Sequence, residues 1–412
     1  MSANAALTAA DPALAAAVRR TTRGQRVRAL LLVAPLLALL LLSFCLPIGI
    51  LLSQAVYDPA THDALPRTAV ALAASPDQGV PDDAVFAALG EDLLAAKQND
   101  SLYNLARDLN KLLPAARSHV LRTARGLSPD KPVTRAALVA ADPFWGESET
   151  WFAIRSGVRA FTANYLLAAV DLRWTRDGSL GAVPPGQAIY RAIFARTFGI
   201  AAAVTVLTLI LGFPIAWLLA HVPGRLAARL IMLVLLPFWT SILVRTAAWT
   251  VLLQKFGILN DLLLALHITD DRFDLMYTRT GLIIAMVHIQ LPFTLLPIYS
   301  IMRTISASQM RAAYSLGAHP FYAFRRVYLP QVMPGVMAGC LLTFILCLGY
   351  FITPALVGGP ADQLIANFIS NDINVDLNWQ MAGALSCILL LLTLGLFAVF
   401  ARMFGIDRMK LV

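Results

Sequence analysis

The sequence predicts an all-α membrane protein: six transmembrane helices, with a helical extracytoplasmic insertion between the first and the second. Three observations carry this. Apolar runs near residues 29–53, 194–220, 227–253, 280–302, 332–356 and 380–403 are each long enough to cross a hydrocarbon core about 30 Å thick. Only 14% of the 412 residues are charged, against roughly 25% in ordinary soluble domains, while 58% are hydrophobic. The polar stretch from about 57 to 190 is too long for a plain connection and is expected to fold as a small domain. The apolar runs are continuous rather than alternating, which excludes a membrane β-barrel.

The first run follows a segment, 1–28, that carries Arg19, Arg20, Arg23, Arg26 and Arg28. At some 25 apolar positions it exceeds the roughly 7–15 of a cleaved signal core. It is therefore expected to stay as an anchor, residues 29–53, with the N-terminus in the cytoplasm. The insertion, 54–193, contains "DDAVFAALGEDLLAAK", which opens on acids and spaces Phe86, Leu89 and Leu93 helically. "SLYNLARDLNKLL" repeats the pattern with Leu102, Leu105, Leu109 and Leu112. Both predict amphipathic helices.

A five-helix core, 194–405, and a tail, 406–412, complete the chain. The expected inner flanks carry Arg225, Arg229, Arg303, Arg311, Arg325, Arg326, Arg402, Arg408 and Lys410 against one acid, Asp407. The last outer loop, roughly 357–379, has Asp362, Asp372 and Asp376 but no Lys or Arg. This bias puts both termini in the cytoplasm and accounts for the net charge of +9 without a nucleic-acid partner. Cys45, Cys340, Cys347 and Cys387 all fall in predicted spans without metal-ligand spacing, and Cys340 and Cys347, which share a helix face, are read as small buried hydrophobes.

No GxxxxGK[ST], HExxH or GxSxG run occurs, and the six histidines are scattered singly, so neither a catalytic centre nor a metal site is expected. The informative stretch is the inner loop 303–331, with "RAAYSLGAHPFYAFRRVYLPQVMPG" at 311–335. Ser308 is placed to cap a short helix that Gly317 ends in the left-handed conformation. His319 precedes Pro320, a good first residue for a second short helix through Phe324 and Arg325. Leu329-Pro330 is expected to break that helix, and Pro334-Gly335 to open the next span. The product is a stiff helix–turn–helix on the inner face.

The set Ala312-Ala313, Gly317-Ala318, Phe324, Val327, Leu329-Pro330 and Pro334-Gly335 resembles the "EAA" loop of permease subunits in ABC importers. "LPFWTSILVRTAAWTVLLQKFGILN" (236–260), "LPFTLLPIY" (291–299), "ITPALVGGP" (352–360) and "GALSCILLLLTL" (383–394) are similar to the spermidine/putrescine branch of that family. The resemblance implies a type I importer permease that moves its solute by alternating access. Its coupling helix would dock into a groove on a dimer of separate ATPase subunits. ATP would be bound and hydrolysed there, so this chain needs no cofactor of its own. A second permease, related but different, and a periplasmic solute-binding protein are the other implied partners. Arg311 stands where the family has Glu, and the insertion is larger than that branch suggests.

Within the spans, Arg245 is placed in the outer third of the third run and His288 and Gln290 near the middle of the fourth. Ionisable groups at such depth are costly and usually face a bundle interior or water. With Trp239 and Thr240 they are candidates to line or gate a pathway. The alternative is that Arg245 snorkels outward and His288 bonds a carbonyl. Asp372 and Asp376 could draw a polyamine by their field, whereas Arg245 would repel it. The residues therefore leave open another small solute, such as an amino-acid-derived compound or an organophosphonate. A proton-coupled secondary transporter fits less well, because no Asp or Glu lies in any predicted span.

Overall fold

The computed structural model describes residues 31–75, 79–113, 115–128, 133–175 and 177–404, with isolated positions at 25 and 29. The basic N-terminal residues Arg19, Arg20, Arg23, Arg26 and Arg28, and the tail residues Asp407, Arg408 and Lys410, lie outside them. The chain divides into two compact units, Met1–Gln54 and Ala55–Val412. The first contains α1, Leu31–Ser53, which runs unbroken through Pro47. A π-turn at Leu41–Cys45 precedes that proline and widens the helix where the ring would meet a preceding carbonyl.

The second unit opens with the insertion: α2 (Ala60–Ala64), α3 (Pro66–Ala74), α4 (Asp83–Gln98), α5 (Leu102–Leu112), α6 (Ala116–Gly126), α7 (Arg135–Ala141) and α8 (Ser148–Gly157). The two amphipathic segments form α4 and α5. Phe86, Leu89 and Leu93 are buried with Leu105, Leu109, Trp145 and Trp151 in one core, while Leu102 and Leu112 pack at its edge. Both indoles are satisfied inside it: Trp145 Nε1 donates to Thr123 Oγ1 at 2.7 Å and Trp151 Nε1 to the Trp145 carbonyl at 2.7 Å. A buried polar handle left unpaired would cost about 1–3 kcal/mol.

The insertion leaves the core and returns to it at one place. Asp58 N–H bonds the Ala160 carbonyl and Thr162 N–H the Val56 carbonyl. Next come α9 (Asn164–Ala168) and a hairpin the sequence did not announce, β1 (Leu172–Trp174) antiparallel to β2 (Leu180–Ala182), with Arg173 opposite Gly181. Its strands are three residues each, too short for an alternation signal.

Three helices make the heart of the membrane part: α10 (Tyr190–His221), α14 (Arg279–Thr304) and α16 (Pro320–Leu348). Gly335 and Gly339, one small residue per turn on α16, let the backbones meet. A Cβ on Gly339 would lie 2.5 Å from the Thr294 carbonyl oxygen, and one on Gly335 2.8 Å from that of Pro297. Beside this contact the buried Thr294 hydroxyl joins Thr208 at 2.9 Å and Thr343 at 2.6 Å, tying the three helices together. Pro292 and Pro297 lie inside α14, which continues past both.

Two predicted spans differ. The run 227–253 is not one straight helix: α11 (Gly224–Leu235), a 3-10 turn at Leu236–Trp239 and α12 (Ile242–Leu252) meet at a bend of 96°, and a short α13 (Ile258–Ala265) follows. Pro237 interrupts the first helix, Thr240 and Ser241 are extended, and Ser241 Oγ caps the new one by accepting from Val244 N–H at 3.2 Å. The run 332–356 starts earlier and stops sooner, because α16 spans 320–348 and α17 (Ile352–Leu356) follows a break. Among the described residues, five helices are long and apolar enough to cross a membrane, and the bent pair supplies a sixth if it counts as one span. The last is α19, Trp379–Phe404, preceded by α18, Ile365–Asn374.

Candidate functional site: the 303–331 loop and the bent segment

The loop is built from caps. Helix α15 (Ala307–Ser315) is capped two residues before the expected position: Ser306 Oγ accepts from Ser308 N–H at 3.3 Å, and the Ser308 hydroxyl meets Ser306 at 2.7 Å. Gly317, at φ +84°, ends the helix. Ala318 N–H reaches back to the Ala313 carbonyl and Gly317 N–H to that of Tyr314, the two bonds of a Schellman turn. His319 then caps α16, its Nδ1 accepting from Phe321 N–H at 3.3 Å, with Pro320 in the first turn.

The expected break at Leu329-Pro330 is absent. Instead, α16 passes from Pro320 through a π-turn at Phe324–Tyr328 and straight on to Leu348. The wider turn gives the Pro330 ring room against the preceding carbonyls, the same device as in α1. The second arm of the loop is therefore the end of a spanning helix, not a separate piece.

Ala313 and Ala323 are buried, and Phe324 stands edge-on to Phe213 of α10 at 6.3 Å beside the buried Tyr328. Leu329 and Ala318 are half-buried, whereas Arg311, Ala312, Arg325, Arg326 and Pro330 are exposed. Leu316 is 88% exposed, Phe321 67% and Tyr322 58%. An apolar tip with a basic rim thus sits on a base packed into the helical core.

The intramembrane candidates divide. Trp249 Nε1 donates to His288 Nδ1 at 3.2 Å, joining α12 to α14. One turn away, Arg245 Nη2 donates to the Thr240 carbonyl at 3.1 Å, while its buried Nε has no partner among the described residues. Trp239, 87% exposed, and Thr240 occupy the bend itself. Gln290 is elsewhere. Two positions on from His288, it turns the other way and is 1% exposed. Trp249 was missed, although its i, i+4 spacing from Arg245 places both on one helix face.

At the other end of the core, Asp362 is not a free acid of a solvated loop. It is buried against Arg279 Nε at 2.8 Å. Asp376 accepts from Asn371 Nδ2 at 2.7 Å, and burial, with Asp376 nearby, pushes Asp372 up to about 7.

A family model described as "Binding-protein-dependent transport system inner membrane component" matches residues 201–404. The spermidine/putrescine transport system permease protein PotB of Escherichia coli (strain K12) is 35% identical over 208 residues, 50% of this chain and 75% of that one. The chain belongs to this family. PotB of Haemophilus influenzae (strain ATCC 51907 / DSM 11121 / KW20 / Rd) is 33% identical to the permease over 248 residues, 58% of this chain and 86% of that one. A crystal structure of a bacterial ABC transporter that imports alginate aligns at a TM-score of 0.43 and 15% identity, over 52% of the permease and 78% of that chain. The permease is a multi-pass inner-membrane transport subunit and not an enzyme. Its matched region begins within α10, so the insertion lies outside it.

Proposed function

We propose that this permease is one half of the membrane pathway of an ATP-driven importer that carries a polyamine such as spermidine or putrescine. The observation that carries the reading is the loop 303–331. Its exposed apolar and basic tip is joined through the Gly317 turn and the π-turn to α16 without a flexible link. A force applied at the tip moves a spanning helix as a lever.

The tip is the seat of an ATPase dimer, which binds and hydrolyses ATP and leaves this chain without a cofactor. The basic flanks put the loop and both termini in the cytoplasm, and the insertion, 54–193, in the periplasm beside the docking site of a solute-binding protein. A second, different permease completes the pathway, to which Trp239, Thr240, Arg245, His288 and Gln290 contribute from this side. Asp372 and Asp376 lie at the outer mouth. The choice of polyamine is supported by the PotB relatives, whose name carries that cargo.

A second reading has an observation behind it: the cationic Arg245 in the bent segment favours a neutral or anionic small solute over a polycation. Uptake of labelled putrescine and spermidine, an amino acid and an organophosphonate by cells carrying the whole transporter separates the two. The comparison is with cells carrying Gly317→Val. Polyamine uptake lost in the variant supports the proposal. Loss of another solute's uptake keeps the importer and replaces its cargo. No difference for any solute would refute the lever.

A further inference from the structure

The insertion holds a hollow of about 510 Å³ where α5 turns into α6, within the range of about 300–1,000 Å³ usual for small-molecule sites. Arg117, Arg122 and Arg125 line it with Asn110, Ser118 and Leu121, and no Asp or Glu does among the described residues. Arg117, Leu121 and Arg125 recur every fourth residue of α6, with Ser118 and Arg122 beside them, so one side of the helix supplies all three cations. Arg122 is held in place. Its Nη1 donates at 3.1 Å to Asp142 Oδ2, a carboxylate 2% exposed that also meets His119 Nδ1 at 2.8 Å and accepts from Phe144 N–H at 3.1 Å. Arg117 N–H donates to Asn110 Oδ1 at 3.4 Å, which ties the start of α6 to α5. The side chains of Arg117 and Arg125 are exposed and pair with no acid among the described residues. A neighbouring hollow of about 430 Å³ shares Arg122 but is lined by Asp142, Glu147 and Glu149. The acids thus stand on one side of Arg122, and the unmet positive charge on the other.

We propose that the hollow lined by Arg117, Arg122 and Arg125 binds a phosphate-bearing polyanion. Each guanidinium is a planar fork that matches a phosphate edge with two parallel hydrogen bonds. Three of them with no lining acid call for a ligand of several negative charges, since a monovalent ion would leave most of the repulsion standing. Two features separate the site from a solvated basic face: its concavity, and the buried carboxylate that holds Arg122 in it. The chemistry has two sources, a soluble phosphate compound or the headgroup of an anionic phospholipid. The site lies outside residues 201–404, the part matched to the family, and does not depend on which solute the permease carries.

The test uses the full-length chain in phosphatidylcholine nanodiscs, without ATPase subunits, which would bind the probe themselves. Inorganic tripolyphosphate is titrated by calorimetry at about 0.15 M salt, where exposed charges are screened beyond about 8 Å. Citrate, a polyanion without phosphate, is titrated in parallel. Wild type is compared with Arg117→Gln/Arg125→Gln, with Arg122→Gln, and with Arg325→Gln/Arg326→Gln in the inner loop as the control. Arg117 and Arg125 are exposed, and an unchanged melting midpoint certifies that their variant is folded. A second set of discs contains phosphatidylglycerol.

Wild type is expected to bind one tripolyphosphate per chain in phosphatidylcholine discs. Affinity should fall at least tenfold in Arg117→Gln/Arg125→Gln and in Arg122→Gln, and stay unchanged in the inner-loop control. The same affinity in both kinds of disc supports a soluble phosphate as the ligand. An affinity at least fivefold weaker with phosphatidylglycerol supports a lipid headgroup already seated in the hollow. No binding to wild type would overturn the proposal, as would binding that survives the loss of Arg117 and Arg125. Citrate bound as tightly as tripolyphosphate would overturn the phosphate assignment. An equal loss in the inner-loop control would move the site out of the insertion and overturn it too.

Discussion

Burial, with the Asp376 carboxylate nearby, pushes Asp372 up to about 7, so the fold favours the protonated side chain. A folded-state value raised above the ordinary carboxylate range gives stability that is full below about pH 4 and is lost as pH climbs through 7. The α18 end of the molecule should therefore tighten in acid and loosen in mild alkali. Thermal melting of the purified permease is expected to show a lower midpoint at pH 8 than at pH 5. Asp372→Asn, which keeps the shape without the charge, should remove much of that slope. Because the side chain is partly exposed, the gain at pH 8 is on the order of 1 kcal/mol. A slope that survives the substitution would assign it to other groups. Gly317 is a different kind of constraint. A Cβ there meets nothing within 4 Å, so any loss in Gly317→Val comes from its φ of +84°. A β-branched side chain in that region costs about 1–2 kcal/mol. Uptake should drop about tenfold or more while membrane insertion, read by protease protection, stays intact.

Helices were legible where their signal was local. The leucine spacing of α4 and α5, the Gly317 turn and the His319-Pro320 start all announce themselves within a few residues. Two features were not read, because each needs a neighbour or a compensation that a run of apolar residues hides. The bend between α11 and α12 depends on Pro237 followed by the Ser241 cap, a helix start buried in a stretch apolar enough to look continuous. The passage of α16 through Pro330 depends on a π-turn, and a proline alone reads as a stop. In the site, the Trp249–His288 bond joins residues 39 positions apart, and one sequence gives no sign of it. The glycine pair of α16 was visible as G-V-M-A-G, but what it touches was not. Gly339→Leu would drive its Cβ toward the Thr294 backbone, which cannot move aside as a side chain could. Overpacking of this kind costs about 1–3 kcal/mol, and the threonine cluster beside it would be strained as well. The expected result is a lower midpoint of thermal unfolding in detergent, whereas Gly339→Ala should cost less. An unchanged midpoint for the leucine variant would mean that the α14–α16 approach is not as close as 2.5 Å from Cβ to carbonyl.

At the scale of the whole second unit, the insertion carries a hydrophobic core of its own inside one compact unit and joins the membrane helices through one doorway of the chain. The insertion core, built around Phe86, Trp145 and Trp151, has no residue in common with the cluster formed by Ala55, Tyr165, Ile193, Phe194 and Met381. The chain enters and leaves at the Tyr57–Phe161 bridge, where the two rings lie 5.1 Å apart. Two antiparallel segments bridged in this way can be joined by a two-residue turn. Asp58 stands on the core side of the doorway. It is buried and accepts from Tyr165 Oη at 2.7 Å and from Gln380 Nε2, at the start of α19, at 2.9 Å. Replacing residues 59–159 by Asn-Gly, with Asp58 and Ala160 kept, should leave α10 to α19 folded and inserted. The shortened permease is expected to melt cooperatively in detergent and to hold its ATPase subunits, since the 303–331 loop is untouched. Asp58→Ala in the full-length chain should behave in the opposite way. The insertion keeps its own core, but the Tyr165 hydroxyl and the Gln380 amide lose their acceptor, at about 1–3 kcal/mol. If the shortened chain aggregates while Asp58→Ala is silent, the insertion and the membrane helices depend on each other through contacts beyond this doorway.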